Sequence, residues 1–311
     1  MLRQPLWHPF SLTIKEFDVY LISEERYRRW LFRVFGWLGR KLVIINTDYM
    51  GLGNRLKLLA SYDASYGLDH TTLYWNRQGW VNAALGEICH IEGTSGFREV
   101  PINLKRWMVP IITHPTKACW WRQGFWRFDV DAELPSSYFI ERQGRVFPAI
   151  DFLFADTPQP YRDRYLRFFA RVKPSPTVAA RMAAIQLLPQ DVAVQIRISL
   201  DKNDTANVPR ADSYLRHMRA FPPDTRFFIS AMDETVSAIF RQAFGDRVVE
   251  LPGKQYRSMI DATADMYLLS QPGTLIASRG STFGEVAWWL GGGQQRVVQI
   301  DAELVSSGVI E

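Results

Sequence analysis

From residue 191 to residue 300 the sequence alternates short apolar runs with longer amphipathic ones, and this alternation limits the fold more than any other feature. Val192, Val194 and Ile196 alternate with smaller or polar residues and predict a strand over 192–198. Helices are expected over 212–221, Glu234–Phe244, Met259–Ser270 and Phe283–Leu290. Between them, strands are expected over Arg226–Ala231, Arg247–Leu251, Thr274–Ser278 and Arg296–Ile300. Asp233 is a good N-cap and Gly245 a good stop for the second helix. Five strands alternating with four helices predict a parallel, doubly wound α/β unit. Ligands of such sheets bind outside the carboxyl ends of the strands. Arg197 and the following charged segment, with Asp201, Lys202 and Asp204, fall at such an end. The planar guanidinium stays charged and can bond two phosphate oxygens at once. A strand-end arginine paired with a surface carboxylate is the plainer reading, and this stretch taken alone favours it.

The upstream half carries one similar unit. Lys41–Asn46 predicts an apolar strand, the run from Leu56 to a stop at Gly67 predicts a helix, and His70–Asn76 predicts the next strand. The loop between strand and helix holds Gly51, Gly53 and Asn54, where backbone can approach an anion that helix N–H groups face. It is neither a GxGxxG nor a Walker loop, and many tight βα turns use two glycines. Residues 82–160 show poor periodicity, with basic aromatic clusters at 105–107, 120–122 and 126–127 that suit an acceptor face. Asp129 and Asp131 spell DxD, a pattern common by chance and here without a flanking strand. Helices are expected over Tyr161–Val172 and Thr177–Leu188. A chain of 311 residues exceeds one core. Two domains are expected, 1–165 with an extension over 1–40, and 166–311.

The net charge of +5 suits an anionic ligand or surface, but no basic motif argues for nucleic acid. A hydrophobic content of 47% with 22% charged residues excludes a disordered chain. Cys89 and Cys119 form no metal pattern; two reduced thiols are simpler than one disulfide. Pro5, His8 and Pro9 interrupt the apolar start, so no secretory signal is expected, and no apolar run reaches membrane-spanning length. These features predict a cytoplasmic protein. Residues 27–41 set Trp30, Leu31, Val34, Phe35 and Leu38 at helical spacing among arginines. Such a helix can lie on an anionic membrane, here the inner membrane, although docking on the protein's own core is the commoner use.

Three segments together resemble one family. G-L-G-N-R (51–55), V-Q-I-R (194–197) and D-M-Y-L-L-S-Q-P-G-T-L-I-A-S-R-G-S-T-F (265–283) are similar to the three motifs of the GDP-fucose fucosyltransferase superfamily. That superfamily includes the α-1,6 enzymes of nodulation and core fucosylation, the α-1,2 enzymes and the protein O-fucosyltransferases. The third motif is the most specific, and the likeness covers the C-terminal half and only the GxGN loop of the N-terminal one.

The resemblance implies a GT-B fold, α/β with two Rossmann-like domains facing across a cleft. It implies an inverting glycosyltransferase that moves L-fucose from GDP-fucose to a hydroxyl of a glycan or glycoconjugate, as in polysaccharide biosynthesis, with no metal or other cofactor. Residues 1–165 would be the acceptor side and 166–311 the nucleotide-sugar side. Arg197 matches the family's essential arginine at the donor β-phosphate and glycosidic oxygen. Asp265 matches the residue that contacts the nucleoside, and Ser281, Thr282 and Phe283 match the turn around the diphosphate. Asn54, with Gly51 and Gly53, matches the N-terminal contribution to phosphate and fucose. Where the family has His two residues before the arginine, this chain has Gln195, and Ile198 stands where many members carry a second arginine. These departures leave open the linkage, a different GDP-sugar or nucleotide-sugar donor, and a non-catalytic nucleotide- or glycan-binding relative.

Each residue also has an ordinary structural reading. Asp265 suits a solvated helix face, T-F-G-E (282–285) spells a capping box, and Gln195 suits a satisfied core amide. A general base is wanted because a hydroxyl is a poor nucleophile until its proton is taken. Asp201, Lys202 and Asp204 are equal candidates for that role or for contacting sugar.

Overall fold

The computed structural model describes residues 41–45, 51–77, 81–102, 139–142, 145–148, 159–198 and 209–301. The alternation read from the sequence is present. After residue 190, β8 (Val192–Gln195), α5 (Ala211–Arg219), β9 (Phe227–Ser230), α6 (Glu234–Phe244) and β10 (Val248–Val249) follow in turn. They are followed by α7 (Met259–Leu269), β11 (Thr274–Ser278), α8 (Thr282–Leu290) and β12 (Arg296–Ile300). The five strands form one parallel sheet in the order β10-β9-β8-β11-β12. The chain winds outward from β8 to one edge, then crosses to β11 and winds to the other. The order reverses between β8 and β11, where such sheets bind their ligands.

Local chemistry explains the helix limits. Asp233 accepts the Val236 N–H at 2.9 Å and starts α6, and Gly245 stops it with φ +56. Ser258 accepts the Asp261 N–H and starts α7. β8, β9 and β10 are shorter than the sequence suggests, while β11 and β12 have the limits expected. β8 ends at Gln195 rather than residue 198, because Ile196 donates its N–H to Ser230 and the ladder then stops.

The upstream residues form β1 (Lys41–Ile45), α1 (Leu52–Tyr66), β2 (Thr71–Asn76), α2 (Leu85–Ile88), β3 (Cys89–Ile91) and β4 (Arg98–Ile102). β1, β2 and β4 make a parallel three-stranded sheet. A hairpin of β5 (Phe139–Arg142) and β6 (Arg145–Pro148) follows. Then come α3 (Gln159–Arg171), β7 (Val172–Pro174) and α4 (Pro176–Met182), with β7 antiparallel to β3. The helix expected over Thr177–Leu188 stops at Met182. Beyond it Ile185 and Leu187 pack onto the core, and Asp191 accepts the Leu188 N–H at 2.8 Å to close a turn.

Two buried clusters flank the five-stranded sheet. One holds Val192, Val194 and Ile196 with Tyr214 and Met218 of α5 and Val236 and Phe240 of α6. The other joins the two halves of the chain. It runs from Leu52, Leu56 and Trp75 through Tyr165, Phe168 and Phe169 of α3 to Leu268, Ala287 and Trp289. Trp289 stacks on Phe169 with ring centroids 6.2 Å apart and lies 5.3 Å from Tyr165. Burying three large aromatic rings at one junction is a strong apolar bond between these helices.

Candidate active site

Arg197 stands two residues beyond the end of β8, at the point where the strand order reverses. Its side chain is exposed, and no described residue hydrogen-bonds or ion-pairs with its guanidinium. The surface carboxylate of the plainer reading is therefore absent among the described residues. Its backbone is held instead. The Arg197 N–H donates to Tyr214 Oη at 3.3 Å, and its carbonyl accepts from Ser278 Oγ at 3.2 Å.

Ser278 closes β11, and the turn after it leads straight into α8. Ser281 is the N-cap residue of α8 and is 3% exposed, yet its side chain makes no capping bond. The capping box expected from T-F-G-E does not form. Thr282 is the first helical residue, and Glu285 turns inward to Lys57 of α1 in a fully buried ion pair. The first N–H groups of a helix have no partner within it, so the start of α8 carries donors with partial positive charge.

The first turn of α1 touches this start. Gly53 lies so close to α8 that a Cβ there would sit 2.6 Å from the Thr282 carbonyl oxygen and 3.0 Å from the Phe283 nitrogen. This corrects the sequence reading of the GxGN segment. Gly53 and Asn54 are inside α1 rather than in a loop, and Gly53 is required by the contact between two helices. Gly51 is the N-cap residue of α1, and no described atom lies within 4 Å of a Cβ built on it. Arg55 is fully buried with its guanidinium 5.1 Å from the Trp75 ring centre. Two motifs from opposite ends of the sequence thus meet at two helix starts.

Asp265 is not on a solvated helix face: it is 1% exposed on α7, a helix buried on nearly every side. Its Oδ2 accepts from Lys254 Nζ at 2.6 Å and from Ser230 Oγ at 2.7 Å. Its Oδ1 is buried without a partner among the described residues. Burial holds the carboxyl up at about 6, against the pull of Lys254 and Ser230 toward the charged form. Gln195, on β8 opposite Ser230, is 5% exposed, and its Oε1 also lacks a partner among the described residues. It is a buried amide, but not a satisfied one. Two unpartnered acceptors at the carboxyl end of one sheet call for a ligand that brings N–H or O–H donors.

Lys254, Ser230, Tyr214 and Ser278 were not singled out by sequence. A polar residue ending an apolar strand was the available signal for Ser230 and Ser278. No comparable signal marks Lys254 or Tyr214. Asp201, Lys202, Asp204, Asp129, Asp131, Cys119 and residues 27–40 lie outside the described residues. Cys89 is a free buried thiol pushed up to about 12 by burial. Among the described residues, no group of three His, Cys, Asp or Glu side chains could hold a metal ion. No helix among them is long and apolar enough to cross a membrane.

No protein-family model and no curated protein matches the chain. Solved structures with a similar chain course include a mutant FUT1 from Arabidopsis thaliana in complex with GDP. It has 14% identity and a TM-score of 0.46, over 90% of this chain and 79% of that one. The fucosyltransferase NodZ from Bradyrhizobium has 18% identity and a TM-score of 0.46, over 80% of this chain and 91% of that one. POFUT1 in complex with GDP-fucose has 11% identity and a TM-score of 0.47, over 84% of this chain and 98% of that one. All three are fucosyltransferases. Likeness of this size concerns the course of the chain and not its chemistry.

Proposed function

We propose that the chain is an inverting glycosyltransferase that transfers L-fucose from GDP-fucose to a hydroxyl of a glycan or glycoconjugate. One observation carries the reading: the Arg197 guanidinium, without a hydrogen-bond or ion-pair partner among the described residues, stands at the switch point of a parallel sheet, next to the turn that starts α8. Cleaving a sugar–phosphate bond leaves negative charge on the departing diphosphate, and fixed donors at that spot stabilise the transition state. Arg197 supplies the charge. The starts of α8 at Thr282–Phe283 and of α1 at Gly51 supply backbone N–H groups. This assignment asks for no metal ion.

The nucleoside belongs with the two unpartnered acceptors. A guanine edge offers N1–H and N2–H donors, and Asp265 Oδ1 and Gln195 Oε1 want donors. An adenine edge presents an acceptor at N1 and matches them less well. In this reading residues 1–165 form the acceptor side and 166–311 the donor side of a GT-B cleft. The segment 201–204 holds the candidates for a general base.

Titration of GDP, GDP-fucose, GDP-mannose, UDP and ADP against the protein tests the donor. Guanosine diphosphates should bind at least tenfold more tightly than the other two, and turnover should select GDP-fucose over GDP-mannose. Equal affinity for all five ends the proposal. Arg197→Ala should lower GDP-fucose turnover by roughly 100-fold, the scale seen when a transition-state donor is removed. Turnover within tenfold of wild type removes the catalytic role from this arginine.

A further inference from the structure

The backbone of Arg197 is closed into a ring of hydrogen bonds in which its side chain takes no part. Its N–H donates to Tyr214 Oη, its carbonyl accepts from Ser278 Oγ, and the two hydroxyls bond to each other. Counting protons fixes the direction. Ser278 has one hydroxyl proton and gives it to the Arg197 carbonyl, so the Tyr214 hydroxyl donates to Ser278 Oγ. Each hydroxyl therefore accepts one bond and donates one.

The ring sits where regular support ends. The last ladder bond on this side of β8 is from Ile196 N–H to Ser230, and Arg197 has no strand partner. A residue just past a strand end is ordinarily free to turn, and its polar backbone groups go to water. Here α5 supplies Tyr214 and β11 supplies Ser278, 0% and 1% exposed, so water cannot replace either hydroxyl. The Tyr214 ring is held edge-on against Phe240, with centroids 6.2 Å apart. Burial pushes the Tyr214 phenol up, so it keeps its proton.

The result is a fixed stem with a free head. Both polar backbone groups of one exposed residue are consumed by buried side chains, while its guanidinium has no protein partner among the described residues. A surface arginine with only a solvation role needs no such anchor. Preorganised donors are effective because they need no reordering as charge develops.

We infer that Tyr214 and Ser278 are positioning residues for Arg197, setting where its guanidinium projects over the switch point. The inference rests on the proposed role of Arg197 at the departing diphosphate. Neither hydroxyl needs to touch substrate.

Tyr214→Phe and Ser278→Ala each remove one oxygen and keep the rest of the side chain's packing. Ser278→Thr keeps the hydroxyl. GDP release from GDP-fucose gives kcat and KM, and thermal unfolding of the same samples reports the fold. A misplacement of ~1 Å can cost on the order of 100-fold in rate. Loosening the stem should cost about tenfold in kcat in both isosteric variants, with donor KM within about twofold, since only a transition-state contact weakens. Ser278→Thr should recover most of the rate.

An active wild type with both variants within twofold in kcat overturns the inference and leaves the proposed function standing. Loss of kcat that follows loss of folded protein, unrecovered by Ser278→Thr, also overturns it. A wild type that neither binds GDP nor releases it from GDP-fucose overturns the proposed function, and this inference with it.

Discussion

Lys57 of α1 and Glu285 of α8 form an ion pair with side chains 3% and 1% exposed, joining helices from opposite ends of the chain. Burial pulls the Lys57 ammonium down and Glu285 pulls it back up, the burial effect being the larger. Trp289 Nε1 donates to the same carboxylate oxygen at 3.4 Å. The pair lies within the first two turns of both helices, close to the Gly53–Thr282 contact. It therefore helps set the spacing of the two helix starts on which the proposed diphosphate site depends.

Removing one partner of this pair should be costly. Lys57→Met removes the cation beside a buried carboxylate, and Glu285→Gln removes the anion beside a buried ammonium. Each should destabilise by about 3–5 kcal/mol. Lys57→Met with Glu285→Gln removes both charges and should lose much less than the sum. Urea unfolding of the four proteins gives the coupling energy as a double-mutant cycle. Additive single effects would show that the charges do not interact in solution.

Much of the C-terminal half was legible because parallel strands buried on both faces read as apolar runs. Thr274–Ser278, Arg296–Ile300 and Glu234–Phe244 appear with the limits expected for them. Errors gathered at strand ends such as 196–198, where Ile196 is still buried and Ile198 partly so although the strand has ended at Gln195. The site was less legible, for a different reason. Gly53 punctuates the sequence like a loop glycine, but what it serves is the Thr282 backbone, far away in the chain. Asp265 looks like a helix-surface acid until Lys254 and Ser230 arrive from two other connections. Local patterns carry the elements. Only the packing of distant segments carries the partners.

The two glycines of the first motif should separate fold from ligand. Gly53→Ala would place Cβ 2.6 Å from a backbone oxygen that cannot rotate away. Either α1 or α8 must shift, and overpacking of this kind costs about 1–3 kcal/mol or more. Gly51 has φ −66 and no described atom within 4 Å of its Cβ position. Gly51→Ala should therefore unfold within ~0.5 kcal/mol of wild type. If the open space beside Gly51 receives the diphosphate, this variant should still weaken GDP about tenfold. Thermal unfolding and GDP titration on both variants check the contrast. Equal stability of the two would mean that the helix starts do not touch in solution.

Asp265 gives the structure a pH dependence whose sign is fixed by burial. Its folded value of about 6 lies above the ordinary 3.8, so between those values the folded state holds more protons than the unfolded state. Its contribution to stability is complete below about pH 4 and is lost as the pH rises through 6, at up to ~1.4 kcal/mol per unit. Asp265→Asn cannot titrate. The stability of wild type relative to this variant should fall by about 2 kcal/mol between pH 4 and 6.5 in urea unfolding. A ligand that donates to Oδ1 favours the carboxylate and reverses the trend for binding. Guanosine is the right probe, having no phosphate to titrate. Its affinity should rise up to tenfold from pH 5 to pH 7 in wild type and stay flat in Asp265→Asn. Equal guanosine affinity at pH 5 and pH 7 in wild type would remove Asp265 from the nucleoside site and leave its unpartnered oxygen to another donor.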